Sequence, residues 1–120
     1  MKGAEKLFPC PSCGFEVFSE PAGSYEICAL CGWEDDHVQL SFPALAGGAN
    51  KSSLSQHQLL ALANYPATVA VANGYRRAKG WRPLIACEVA SPESPASGLE
   101  YFNAASEEIP PYYWQRHAPR

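Results

Sequence analysis

The residues best placed to do chemistry in this chain are cysteines. Cys10-Pro11-Ser12-Cys13-Gly14 is answered by Cys28-Ala29-Leu30-Cys31-Gly32, two C-x-x-C-G units separated by the fourteen residues Gly14–Ile27. That spacing is close to the one expected of a four-cysteine zinc site. Each unit supplies two sulfurs on a tight turn, and the glycine after the second cysteine lets backbone N–H groups approach sulfur. Four thiolates close a tetrahedron around a divalent ion and leave no position open for a substrate. The expectation is therefore one structural zinc per chain, held by Cys10, Cys13, Cys28 and Cys31. Such sites bind with about 10–16 kcal/mol in peptides, comparable to the stability of a whole domain.

Two rivals use the same thiols. Rubredoxin also pairs C-x-x-C-G knuckles, and ligand softness alone does not exclude iron. Zinc is preferred because all-thiolate zinc ribbons are commoner and no electron-transfer role is otherwise indicated. Thiol redox chemistry is the second rival, since Cys10-Pro11-Ser12-Cys13 resembles a glutaredoxin-type dithiol. That motif works at a helix start after a strand, where its pKa falls. Only nine residues precede Cys10, too few for a βαβ context, and redox chemistry does not account for the second pair. Cys87 sits in an apolar run and reads as a buried small hydrophobe. His37, His57 and His117 are scattered, with His57 expected half exposed on a helix. No Ser/His/Asp or paired-carboxylate arrangement follows from the spacing, so an enzyme is disfavoured.

The elements that must position the thiols are short. Phe15–Ser19 is aromatic and β-branched and reads as a strand, Glu20–Ser24 as a turn, and Tyr25–Ile27 as a returning strand that delivers Cys28. A hairpin with a knuckle at each strand boundary, over residues 8–36, has the layout of a zinc ribbon. Little regular structure is signalled from Gly32 to Asn50, and Ala46–Asn50 reads as a flexible loop. Ser53 and Gln56 form a capping box that starts a helix. Leu59, Leu62 and Ala63 give that helix an apolar stripe flanked by Leu60, and Pro66 stops it near Asn64. Beyond it the pattern is ambiguous: Thr68–Ala72 with Asn73-Gly74 fits a hairpin into Tyr75–Arg77, and 67–78 fits equally a helix interrupted by Gly74. Pro83–Val89 reads as a strand, Ala90–Gly98 as a loop and Leu99–Phe102 as a short element. The tail from Ile109 to Trp114 is too aromatic for ordinary disorder. The fold class is α+β: a small zinc-ribbon hairpin packed on a helix and a few short strands.

Bulk properties bound the partners. A length of 120 residues suits one domain, residues 1–120, in which 50–120 supply the helix and mixed elements. Apolar residues make up 47% and charged residues 18%, which fits a globular chain with much neutral surface. The net charge of −3 gives no general pull toward a polyanion. Residues 1–50 nevertheless hold seven acids against two bases, and residues 51–120 five acids against seven bases. No apolar run reaches the ~18–20 residues of a membrane span, and no leader pattern is present. A cytoplasmic location is expected, where thiols stay reduced. Arg76, Arg77, Lys79 and Arg82, interleaved with Tyr75 and Trp81, form the one cluster that could contact phosphates and stack on bases. Nucleic-acid binding is accordingly the runner-up to a protein partner.

Phe8-Pro9-Cys10-Pro11-Ser12-Cys13-Gly14, Gly23–Cys28, Cys31-Gly32-Trp33-Glu34-Asp35-Asp36 and Gly47-Gly48-Ala49-Asn50 occur in an order that resembles the bacterial cysteine-rich CPCC family. The resemblance covers Phe8 to Leu54. It extends the metal reading to the same four cysteines, and places Trp33, Asp35, Asp36 and Asn50 in a shared surface or scaffold. The family's namesake motif carries a cysteine where this chain has Ser12; the C-x2-C spacing survives. Some members look like neighbours of toxin genes, so the resemblance implies a small immunity protein that blocks a toxin by binding. A non-catalytic protein-interaction module is the expected function. Its candidate contact residues are Trp33, Glu34, Asp35 and Asp36, suited to a basic partner, and Tyr112, Tyr113 and Trp114 as aromatic anchors.

Overall fold

The computed structural model describes residues 6–89 and 112–116. Its elements in chain order are β1 (Phe8–Pro9), β2 (Glu16–Phe18), α1 (His37–Ser41), α2 (Leu54–Asn64), β3 (Val71–Ala72), β4 (Tyr75–Arg76), α3 (Ala86–Val89) and α4 (Tyr113–Arg116). Two two-stranded antiparallel sheets, β1–β2 and β3–β4, stand with the helices in an α+β arrangement, as expected.

The strand pairing differs from the expected one. β2 pairs with β1, Phe8 opposite Phe18 and Pro9 opposite Glu16, so the first knuckle is the tip of its own hairpin. Tyr25–Cys28 in turn lies antiparallel to Trp33–Asp35: Cys28 N–H donates to the Trp33 carbonyl at 2.8 Å and Asp35 N–H to that of Glu26 at 2.9 Å. Each C-x-x-C-G turn reverses the chain within five residues, so the nearest partner of each strand lies across its own knuckle, where loop closure costs least. Phe15–Ser19 and Tyr25–Ile27 are joined instead through a side chain. The Glu26 carboxylate accepts from Ser19 N–H at 3.1 Å, from the Ser19 hydroxyl at 2.9 Å and from Glu20 N–H at 3.1 Å.

α1 lies in the stretch where no element was expected. Asp36 caps it, its Oδ1 accepting from Val38 N–H at 2.8 Å and Gln39 N–H at 3.2 Å. α2 carries the expected capping box and ends at Asn64, before Pro66. Its buried face is not the expected stripe. Leu54, Gln58 and Ala61 point inward, while Leu59 and Leu60 are 71% and 63% exposed. Gln58 can take an inner position because all its polar atoms find partners, which leaves the adjacent leucines outside.

β3 and β4 form a hairpin, which decides between the two readings open for 67–78 in favour of the strands. Asn73 (φ 50) and Gly74 (φ 85) both sit in the left-handed region that a two-residue type I′ turn requires. The expected strand Pro83–Val89 is corrected to a helical turn, α3. The Glu88 carboxylate reaches back to Ile85 N–H at 2.9 Å, organising that turn, and Arg82 clamps it from the other side at 3.0 and 2.7 Å. Cys87 is consequently exposed on α3 and not the buried hydrophobe expected. The proposed loop Ala90–Gly98, the element at Leu99–Phe102 and His117 lie outside the described residues.

The core contains Phe15, Phe18, Trp33, Leu40, Leu54 and Ala61, with Tyr112–Trp114 and three of the knuckle cysteines among them. Cys10, Cys13 and Cys28 therefore lie inside the hydrophobic interior, and Cys31 packs against it from the rim.

Candidate metal centre

The two hairpin tips bring Cys10, Cys13, Cys28 and Cys31 together, with all four Sγ atoms within 4.8 Å of one another. Cys10 Sγ lies 3.7 Å from Cys31 Sγ, and Cys13 Sγ lies 3.7 Å from Cys28 Sγ. A tetrahedral ion with metal–sulfur bonds of about 2.3 Å has sulfur–sulfur edges of about 3.8 Å. The donor set therefore fits a metal ion, and because zinc and iron share this geometry the distances alone favour neither. In the second knuckle, Leu30 N–H and Cys31 N–H point at Cys28 Sγ at 3.3 and 3.4 Å. Such N–H dipoles stabilise negative charge on sulfur.

The sulfurs are electrostatically frustrated as bare groups. Burial pushes the Cys10 thiol well above its ordinary value. Hydrogen bonds from Cys10, Cys13 and Cys28 hold Cys31 far below it. A buried cluster can keep one thiolate among neighbouring S–H groups, but four thiolates need a cation to offset their repulsion.

Side chains from elsewhere fix the knuckle backbones. Arg77 Nε donates to the Cys13 carbonyl at 2.9 Å. Gln58 Nε2 and Trp81 Nε1 donate to the Pro11 carbonyl at 3.2 and 3.3 Å. His57 Nε2 meets the Cys31 carbonyl at 2.9 Å, which makes it a donor, and its ring packs 5.3 Å from the Trp33 ring. The Cys31 side chain raises the His57 pKa, against the opposing effect of burial. Neighbouring residues of α2 thus each hold one knuckle. His57 is half exposed as expected, but its bond to Cys31 could not be read from spacing, and the same is true of Gln58 and Arg77.

The residues considered for partner contact are placed differently from expectation. Trp33 is fully buried, and Asp35 and Asp36 are nearly so. Asp35 Oδ2 accepts from Gly23 N–H, Ser24 N–H and the Ser24 hydroxyl at 2.8–3.0 Å. Asp36 Oδ2 accepts from Ala49 N–H at 2.9 Å while its Oδ1 caps α1. The backbone of Glu34 is gripped at both ends by the Asn50 carboxamide at 2.8 Å, and Gln39 Nε2 donates to the carbonyls of Leu45, Asn50 and Ser52. The acids were expected to face solvent beside a flexible loop. Asp35 instead ties down the Gly23–Ser24 turn and Asp36 the backbone at Ala49, because carboxylates are the acceptors that the N–H groups of these irregular segments need.

Tyr112, Tyr113 and Trp114 are likewise buried and not displayed as anchors. Tyr112 stacks on Trp114 at 4.8 Å, and Gln58 Nε2 donates to Tyr113 Oη at 3.0 Å. The basic cluster also changes character. Arg77 donates to carbonyls of Tyr65, Pro66 and Val69 as well as Cys13, and its guanidinium lies 4.4 Å over the Phe15 ring. Arg82 pairs with buried Glu88. Of the four cations, Arg76 and Lys79 are the exposed ones.

The ordered motifs that resembled a family therefore form one connected scaffold: two knuckles, the Trp33–Asp36 strand edge, and Asn50 stitched back to it. The family model for cysteine-rich CPCC proteins matches residues 8–78. The chain belongs to the cysteine-rich CPCC family. The match runs past Leu54, where the sequence resemblance stopped, and so takes in α2, the β3–β4 hairpin and Arg77 along with the cysteines. Among those added residues His57, Gln58 and Arg77 brace the knuckles of this CPCC protein, while Trp81 lies beyond the match. Ser12, which replaces the middle cysteine of the namesake motif, is fully buried, and its hydroxyl has no hydrogen-bond partner among the described residues. No curated protein matches the chain. Among the described residues no helix is long and apolar enough to cross a membrane.

Proposed function

We propose that this chain is a non-catalytic zinc protein whose thiolate cage holds the shape of a surface recognised by another protein, in the manner of a bacterial immunity or antitoxin-type protein. The observation that carries the reading is the four-sulfur cluster, in which protein thiols supply every tetrahedral position. Such a set leaves no site for a substrate or an activated water, which favours a structural role over a catalytic one. Zinc is preferred to iron because a closed four-thiolate set in a small α+β scaffold is the usual structural zinc design. Reduced thiols in this number suit the cytoplasm.

A protein partner is supported by the large apolar side chains left outside, among them Tyr25, Ile27, Leu59, Leu60, Val71 and Ile85. Leu59 and Ile85 line one shared depression, so part of this exposure is contiguous and not scattered. The nucleic-acid reading is weaker than the sequence alone made it, because Arg77 and Arg82 have intramolecular partners. The test is co-expression of the tagged chain with the product of the adjacent reading frame. A complex that survives size-exclusion chromatography supports the interaction reading. A salt-sensitive gel shift with nucleic acid, without any protein complex, overturns it.

A further inference from the structure

We infer that Cys31 is the point of entry for two-electron oxidants, so that peroxide chemistry at this one sulfur opens the cage; the inference rests on the metal reading above. The two knuckles share one motif and are protected unequally. Cys10 and Cys13 are fully buried and Cys28 is 3% exposed, whereas Cys31 is partly open to solvent. The glycines behind the knuckles show the same asymmetry. A Cβ built on Gly14 would lie 2.4 Å from the Trp81 ring, so the outer face of the first knuckle is roofed by an indole. Among the described residues, nothing lies within 4 Å of a Cβ built on Gly32. A small oxidant can therefore reach sulfur at the second knuckle and not at the first.

The resolving sulfur is already in place, because Cys10 Sγ lies 3.7 Å from Cys31 Sγ. The Cys31 thiolate attacks one oxygen of hydrogen peroxide. An S–O bond forms, the O–O bond breaks and hydroxide leaves, giving a sulfenic acid. The Cys10 thiolate then attacks the Cys31 sulfur. The S–S bond forms, the S–O bond breaks and a second hydroxide leaves. Two thiolates are oxidised by two electrons in all, and the peroxide is reduced to two hydroxides that take protons from solvent. With Cys10 and Cys31 joined, only Cys13 and Cys28 would remain to hold a bound metal, which would be released. The remaining pair, Cys13 and Cys28, lies 3.7 Å apart and can close in the same way with a second peroxide.

The exposed Cys87 would compete for oxidant, so the experiment uses the full-length Cys87→Ser variant beside the unmodified chain. Metal content is measured first. Limiting hydrogen peroxide is then added with a sulfenate trap in one arm and a chromogenic zinc chelator in the other. Glu16, Glu20 and Glu26 lie between the knuckles, so glutamyl cleavage separates Cys10 and Cys13 from Cys28 and Cys31, and tandem mass spectrometry assigns the label. The expected result is trapping at Cys31 first, a Cys10–Cys31 disulfide without the trap, and one zinc released per peroxide consumed. Labelling of Cys10, Cys13 or Cys28 before Cys31, or zinc retained after Cys31 is oxidised, overturns the inference. A chain that purifies without metal refutes the cage reading instead, and its order of labelling still decides whether Cys31 is the exposed sulfur.

Discussion

At the scale of single residues, the cage depends on side chains that contribute no sulfur. Arg77 is the clearest case. Its guanidinium satisfies carbonyls of Cys13, Tyr65, Pro66 and Val69 and packs over Phe15 and Trp81. Hydrogen bonds from a charged donor contribute about 1.5–3 kcal/mol each, and removing the donor leaves acceptors without partners. Arg77→Ala should therefore cost at least about 3 kcal/mol of the metal-loaded protein's stability in denaturant unfolding. A change under about 0.5 kcal/mol, the size expected of a solvated surface arginine, would show that the bonds are not maintained in solution. His57→Ala removes the donor to the Cys31 carbonyl, and outer partners of this kind are worth about 10–100-fold in metal affinity. Competition against a chelator should show a loss in that range, largely restored by His57→Gln. None of this was legible in the sequence. Arg77 reads there as one member of a basic run, since the carbonyls that claim it are backbone atoms up to 64 positions away. The placement of Trp33 is hidden for a related reason: an aromatic next to acids looks displayed until the N–H groups that bind those acids are known.

At the scale of elements, the two knuckles offer an internal comparison. Gly14 and Gly32 both have φ near +85°, so either glycine-to-alanine change brings left-handed backbone strain of about 1–2 kcal/mol. Only at Gly14 does the new Cβ also meet the Trp81 ring, at 2.4–2.9 Å. Gly14→Ala should therefore be the more destabilising of the pair by thermal unfolding, and equal costs would mean that Trp81 does not cover the first knuckle. On α2, Ser53→Ala removes a complete capping box and should cost about 1 kcal/mol. Signals with a local cause were readable: the cysteine spacing, the Ser53/Gln56 cap and the stop before Pro66, whereas Asn73-Gly74 fitted a hairpin turn and an interrupted helix equally. Those that depend on distant partners were not. α2 buries Gln58 in place of Leu59 because Gln58 has bonds to Pro11, Leu84 and Tyr113 waiting for it. Pro83–Val89 reads as a strand in the sequence because seven residues are too few for periodicity to separate strand from helix. The α+β class survived these errors because it rests on the knuckles and α2.

At the scale of the molecule, the sulfurs and the aromatic core are one body, so metal binding and folding should be coupled. Protons compete with metal for thiolates, and a bound thiolate has a pKa far below the free value of about 8.5. Its stabilisation is complete above that free value and is lost as pH falls through the lowered one. Acidification should therefore release the metal and unfold the chain in a single transition, with circular dichroism and metal release coinciding. Glu26 titrates separately. Hydrogen bonds from Ser19 N–H first, and then from the Ser19 hydroxyl and Glu20 N–H, hold its carboxyl below the usual range. The link it makes between the two hairpins should be intact above the ordinary glutamate pKa of about 4.3 and fail only below its lowered value. An NMR titration in which Glu26 behaves as an ordinary exposed glutamate would remove that link.

The central claim is that four thiolates and nothing else enclose one zinc ion. X-ray absorption on the purified chain, with metal content determined on the same sample, tests it most directly. One zinc per chain with four sulfur neighbours at about 2.3 Å is the predicted result. Iron in its place, a nitrogen or oxygen neighbour in the shell, or a metal-free chain with four free knuckle thiols would contradict it.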